Sequence, residues 1–148
     1  MELPLERTYV DVGAILASDM DSIVSSLLYA FFLYVKSQPS KKDLYLACIN
    51  IPREDLALRT ETTWIFSQLH IDDEGLLFFP TVEEKLSVLA KKNRLQLILV
   101  DHNVLAKQQK PFESSVEEIL DHHKDENLYS SLEIVRCFLI VILFRCQR

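Results

Sequence analysis

The chain has 148 residues, of which 49% are hydrophobic, and carries 22 acidic against 16 basic side chains for a formal net charge of -6. That length fits one ordinary α/β domain, and that apolar fraction supplies a packed core and argues against disorder. The negative balance disfavours a nucleic-acid backbone or an anionic membrane surface as partner, and two glycines, Gly13 and Gly75, are too few for a glycine-rich phosphate cradle.

In chain order, the apolar stretch Tyr9 to Leu16 predicts a strand. Residues 23–35 (IVSSLLYAFFLYV) are too long for a strand and predict a helix. Its all-round apolarity predicts extensive burial, with Ser22 or Asp21 as N-cap. A loop at Ser37 to Ser40 leads to Leu44 to Ile49, a short buried strand, and Pro52 breaks regular structure soon after it. Trp64, Ile65 and Leu69 have near-helical spacing, so Thr60 to Leu69 predicts a second helix. Leu76 to Phe79 predicts a short strand closed by Pro80. Val82, Leu86, Leu89 and Ala90 fall at i, i+4, i+7 and i+8, the signature of an amphipathic helix over Val82 to Lys92. Leu95 to Val100 (LQLILV) is the clearest strand, Lys107 to Pro111 a polar loop, and Val116 to Leu120 (VEEIL) a further strand. Strands alternate with connections long enough to cross over, which predicts a three-layer α/β domain with a parallel sheet and helices on both faces.

The three cysteines, Cys48, Cys137 and Cys146, form no CxxC pair and no zinc spacing, and Cys48 lies in an apolar strand as a core residue. The N-terminal MELPLERTYV is polar and resembles no signal or transit peptide. The apolar run Cys137 to Phe144 lies between Arg136 and Arg145 and is far shorter than the about 20 residues a bilayer span needs. Together these features predict a cytoplasmic protein in a reducing compartment, without nucleic-acid or membrane partners.

Three clusters of acids or acids with histidine each come after an apolar strand: Asp19 and Asp21, then Asp101-His102-Asn103, then Asp121-His122-His123. Ligands of an open parallel sheet bind outside the carboxyl ends of its strands, so three clusters at three strand ends can converge on one crevice. Each has a plainer explanation: helix-start acids favoured by the dipole, a strand-to-turn exit, and the opening of a solvated loop at Lys124-Asp125-Glu126. Their shared placement is the signal. Carboxylates with imidazole and no thiolate suit Mn²⁺ or Mg²⁺, with Co²⁺ or Zn²⁺ as alternatives. Cations also let an acidic protein bind a polyanion. His70 is expected to be a structural or surface histidine.

The segments SDMDS (18–22), NIPREDLALR (50–59), LILVDHN (97–103) and ILDHH (119–123) resemble the DHH phosphoesterase superfamily. The prune-type exopolyphosphatases, related to family II inorganic pyrophosphatases, are the nearest likeness, and it runs from about Tyr9 to about His123. The resemblance implies a metal-dependent phosphohydrolase that cleaves phosphoanhydride bonds of short-chain polyphosphate or pyrophosphate with metal-activated water. It implies that Asp19 and Asp21 each bind one of two metals, that Asp101 bridges both and that His122 binds the second. His123 would contact the substrate phosphate and assist the leaving group, with Asp121 and His102 supporting these groups from behind. Three features depart from the family pattern. Ile15 stands where the family has His or Asn, a further metal-binding aspartate beyond the DHH motif is missing, and no second, cationic domain is present. The expected organisation is therefore a partial DHH-type domain over residues 1–133 with a divergent apolar segment over 134–148, as in a C-terminally truncated family member. Two other functions stay open: a catalytically impaired module acting through protein partners, and a receiver-like domain with Asp101 as phosphoacceptor. The latter lacks an apolar strand ending in lysine after Asp101.

Overall fold

The computed structural model describes residues 12–17, 19–37, 43–132 and 134–135, with the strands 12–17 and 134–135 described by their backbone alone. The elements are β1 (Val12–Ala17), α1 (Met20–Lys36), β2 (Leu44–Ile49), α2 (Thr60–Gln68), β3 (Leu77–Phe78), α3 (Phe79–Lys91), β4 (Leu95–Val100), β5 (Val116–Leu120) and β6 (Ile134–Val135). All six strands pair in parallel in the order β3-β2-β1-β4-β5-β6. The α/β expectation of a parallel sheet with helices on both faces holds.

The two faces arise from the period-2 alternation of a strand. On β4, Leu97 and Leu99 pack with Val82, Leu86 and Leu89 of α3, while Ile98 and Val100 pack with Ala30 of α1. Neighbours on β2 and β3 divide the same way. Cys48 and Leu77 join the α3 side, and Ile49 and Phe78 join Ile23 of α1 and Phe66 of α2. Both flanks of β4 are therefore buried, which is why it reads as a continuous apolar run. The strand order reverses direction between β1 and β4, so their carboxyl ends flank the topological switch point of the sheet.

Several local expectations are corrected. The first helix starts at Met20 with Asp19 as N-cap, ahead of Ser22 and Asp21. Ser22 is instead the third helical residue, accepting a 3.0 Å hydrogen bond from Asp19 N–H, while its hydroxyl bonds the Asp19 carboxylate. The bond from Asp19 N–H to the Ser22 side chain is the returning half of a capping box. Nor is α1 buried all round: Leu28, Phe31, Phe32, Tyr34 and Val35 are exposed. On α2 the inward residues are Thr62 and Phe66, whereas Trp64 and Leu69 face solvent. Phe79 belongs to α3 rather than to β3, and Pro80 opens that helix, where its fixed φ and missing N–H cost least. The expected polar loop at Lys107 to Pro111 is the start of a 3-10 helix, Lys107–Ser115, anchored by buried Gln109 and Phe112. β2 is fully buried only at Cys48 and Ile49.

Ile134–Val135 form the sheet edge as β6, beyond the expected boundary at residue 133. The apolar run Cys137 to Phe144, most of the 134–148 segment, Ser18 and the loop residues 38–40 lie outside the described residues. Among the described residues no helix is long and apolar enough to cross a membrane.

Candidate metal centre

The chain after β1 begins α1 at once, placing Asp19 and Asp21 above the carboxyl end of the central strand. The chain leaves β4 at Asp101 with φ 65, a left-handed conformation that Asp and Asn adopt more readily than other L residues. Asp101 N–H donates to Leu120 O at 2.8 Å, tying the end of β4 to the end of β5. The sharp exit keeps the Asp101 carboxyl over the switch point, with a side chain only 3% exposed.

Two groups of ligand-type atoms result, each lying within 4.8 Å of one another, and Asp101 belongs to both. One joins Asp19, Asp21 and Asp101; the other joins Asp101, Asp121, His122 and His123. His122 Nδ1 stands 3.0 Å from Asp101 Oδ1, and His123 Nδ1 3.8 Å from it. The two rings stack with centroids 4.3 Å apart. Even so, Asp101 Oδ1 is buried and has no hydrogen bond of ordinary geometry. Burial pushes the Asp101 carboxyl up to about 6, and the nearby Asp21 and Asp19 carboxylates push the same way against the two histidines. A buried carboxylate oxygen without a proper hydrogen bond, beside two further carboxylates, is the environment a cation relieves. The residues present fit a divalent metal ion.

Around this pair of groups lies a supporting layer. Asp121 is buried and accepts three hydrogen bonds: from His123 N–H at 3.1 Å, from His123 Nδ1 at 2.7 Å and from Asn103 Nδ2 at 2.5 Å. Burial alone would raise its pKa, yet these bonds outweigh it and hold the carboxyl below its ordinary value. The same bond from the carboxylate side raises the pKa of His123. His102 joins neither group. Its Nδ1 meets Val100 O at 2.9 Å, its Nε2 is buried without a hydrogen bond, and burial lowers its pKa. A cleft of about 260 Å³ opens beside the centre, lined by Asp101, Asn103, Asp121, His123, Lys124 and Glu126 among others.

Of the NIPREDLALR segment, Ile51 and Leu56 enter the core. Arg53 packs its guanidinium over Phe78, with 4.6 Å to the ring centroid, and bonds Asp73 and Leu76 O. His70 is exposed at φ 53, as a surface histidine. Cys48 is buried among apolar side chains, which pushes its thiol up to about 12. Asn103 is the residue whose part the sequence did not disclose. It stood in the Asp-His-Asn cluster, but nothing in the spacing told that its amide reaches the loop after β5.

No protein-family model matches the chain. Curated relatives do. Exopolyphosphatase PRUNE1 of Mus musculus is 35% identical over 113 residues, covering 76% of this chain and 24% of that protein. Exopolyphosphatase PRUNE1 of Homo sapiens is 34% identical over 110 residues, 74% of this chain and 23% of that protein. Protein prune homolog 2 of Mus musculus is 31% identical over 117 residues, 79% of this chain and 4% of that protein. The chain thus spans about a quarter of the length of the exopolyphosphatases it matches.

Proposed function

Because this chain is a relative of the prune-type exopolyphosphatases, we propose that it is a divalent-metal-dependent phosphohydrolase domain acting on phosphoanhydride bonds of short-chain polyphosphate or pyrophosphate. The observation that carries the reading is the buried Asp101 carboxyl, common to two clusters of ligand-type side chains and with an Oδ1 that has no hydrogen bond of ordinary geometry. Asp19, Asp21, Asp101 and His122 are the residues that would hold Mn²⁺ or Mg²⁺, with Co²⁺ as a further candidate, since oxygen donors with imidazole and no thiolate favour such ions. When bound, the cation supplies positive charge against the phosphoryl oxygens and makes water more acidic.

The remaining work falls to the chain itself. Asp101, fixed by its backbone bond to Leu120, holds the two groups in one place. The bond to Asp121 favours the charged form of His123, in which the ring carries a proton at Nε2 while Nδ1–H stays on the carboxylate. As water adds to the terminal phosphorus and the bridging P–O bond breaks, that proton passes to the departing phosphate oxygen, and the proton shed by the water leaves to solvent, from which His123 is recharged. Asp121 orients the ring and favours its charged form.

A second reading has the chain act through protein contacts instead of catalysis, and it draws on the exposed apolar stripe of Leu28, Phe31, Phe32 and Val35 on α1. Phosphate release from tripolyphosphate, measured with Mn²⁺ or Mg²⁺, separates the two. The hydrolase reading expects release that Asp101→Asn abolishes. No release from the wild-type chain, or release indifferent to that substitution, removes catalysis from it and leaves the second reading.

A further inference from the structure

Asn103 is 5% exposed, and both ends of its amide are engaged across two loops. It sits just after β4, yet each of its partners lies after β5. Its Nδ2 donates to Asp121 Oδ2 at 2.5 Å and to Lys124 O at 3.0 Å, and its Oδ1 accepts from Glu126 N–H at 3.2 Å. Two donors and one acceptor are thereby used together, which no hydroxyl, carboxylate or apolar side chain of similar size can do. The carboxylate it pins is the one that takes Nδ1 of His123 at 2.7 Å through its other oxygen. An Asp121 side chain free to rotate would present either oxygen, or neither, to that ring.

We propose that Asn103 is a positioning residue: by clamping Asp121 and the backbone at Lys124 and Glu126, it fixes His123 with its proton on Nδ1 and leaves Nε2 as the nitrogen offered to a ligand in the cleft. The role of Nε2 rests on the phosphohydrolase reading above; the clamp and the tautomer do not. The chemistry is that of a carboxylate–histidine pair, in which the partner of one ring nitrogen decides what the other can do. The ligand class this serves is a phosphoryl oxygen, which the ring meets through Nε2–H in its charged form, Nδ1–H staying on Asp121 in both the neutral and the charged ring.

The test is nitrogen-15 NMR of the full-length chain labelled at histidine, without metal and at a pH where the ring is neutral. His123 is assigned by comparison with His123→Gln. The wild-type chain should show His123 with Nδ1 protonated and Nε2 bare. Asn103→Asp keeps the size but turns the donor pair into an acceptor facing Asp121, and Asn103→Leu removes all three bonds. In both variants the His123 signal should move toward the Nε2–H form that free histidine prefers, while thermal unfolding remains cooperative. A wild-type spectrum already in the Nε2–H form, or a folded variant with an unchanged Nδ1–H signal, overturns the proposal. Unfolding of both variants also overturns it, because Asn103 would then be a staple of the fold and not of the site. Mn²⁺ titration of the same wild-type sample reports on the metal reading separately: absence of uptake sinks that reading and leaves the tautomer result standing.

Discussion

Replacing Asp101 by asparagine should make the metal-free protein more stable and the metal-loaded protein less so. Asparagine keeps the size of the side chain and tolerates the left-handed backbone at φ 65, so the substitution isolates the charge. The folded chain holds a proton on Asp101 up to about pH 6, whereas an ordinary carboxyl loses it near 3.8. Folding therefore binds a proton across that window, and stability falls as pH rises through it. A shift of roughly two pK units corresponds to about 3 kcal/mol at the full difference. That shift already includes the attraction to His122, and solvent screening discounts it, so Asp101→Asn should gain about 1–3 kcal/mol above pH 7, or roughly 3–10 °C in Tm for a domain of this size. The gain should shrink to nothing below about pH 4. Mn²⁺ at a thousand times its Kd should then add about 4.1 kcal/mol to the wild-type chain and far less to the variant, reversing their order. Thermal melts in chelator and in Mn²⁺, at several pH values, measure all of this. A variant less stable in chelator at every pH, or equal stabilisation of both chains by Mn²⁺, refutes the assignment of Asp101 as a strained, cation-seeking carboxylate.

The same geometry has other measurable consequences. The NMR titration midpoint of His123 in the metal-free chain should lie above the ordinary histidine value and fall in Asp121→Asn, because the Asp121 carboxylate stabilises the charged ring. Its contribution to stability is then fully present below the unfolded-state value and lost as pH rises through the folded one. Leu97→Ala, at a fully buried position facing α3, should cost about 2–5 kcal/mol in denaturant melts, chiefly through the cavity it leaves. Phe31→Gln, on the exposed stripe of α1, should change stability by no more than about 0.5 kcal/mol, and a loss of several times that would mean the stripe is covered in solution.

Much of the fold was legible because the strands that matter are buried on both flanks. LQLILV and VEEIL were bounded as strands within the residues observed, and the alternation of strands and helices predicted the parallel sheet. What misled was apolarity taken as burial. α1 is apolar on every side, but the described residues cover only the flank carrying Ile23, Ser26 and Ala30. Composition cannot tell which side of such a helix meets the sheet. Pro80 read as a terminator because proline ends strands, while here it opens a helix, which it does equally well. The 3-10 helix at Lys107–Ser115 has the polar composition of a loop and is held by two side chains, Gln109 and Phe112, that no periodicity singles out.

The candidate site was legible in its members and not in its connections. That Asp19, Asp21, Asp101 and the two histidines sit after strands could be read from the apolar runs preceding them. That β1 and β4 are neighbours, and so bring Asp19 and Asp101 to one switch point, depends on strand order, which a single sequence does not encode in any local pattern. His102 shows the same limit. Its place beside Asp101 suggests a supporting part, and its ring turns back to Val100 O outside both ligand groups, close enough to Asp121 and Asp19 to feel their charge. Asn103, one residue further, is the neighbour that reaches the site's supporting carboxylate.

The cation site is tested most directly by the electron paramagnetic resonance signal of free Mn²⁺ during titration of the chain at neutral pH. The wild-type protein should remove Mn²⁺ from solution saturably, and Asp101→Asn should leave most of it free. A full free-ion signal at every protein concentration, or equal uptake by the variant, contradicts the claim that these carboxylates and His122 form a cation site.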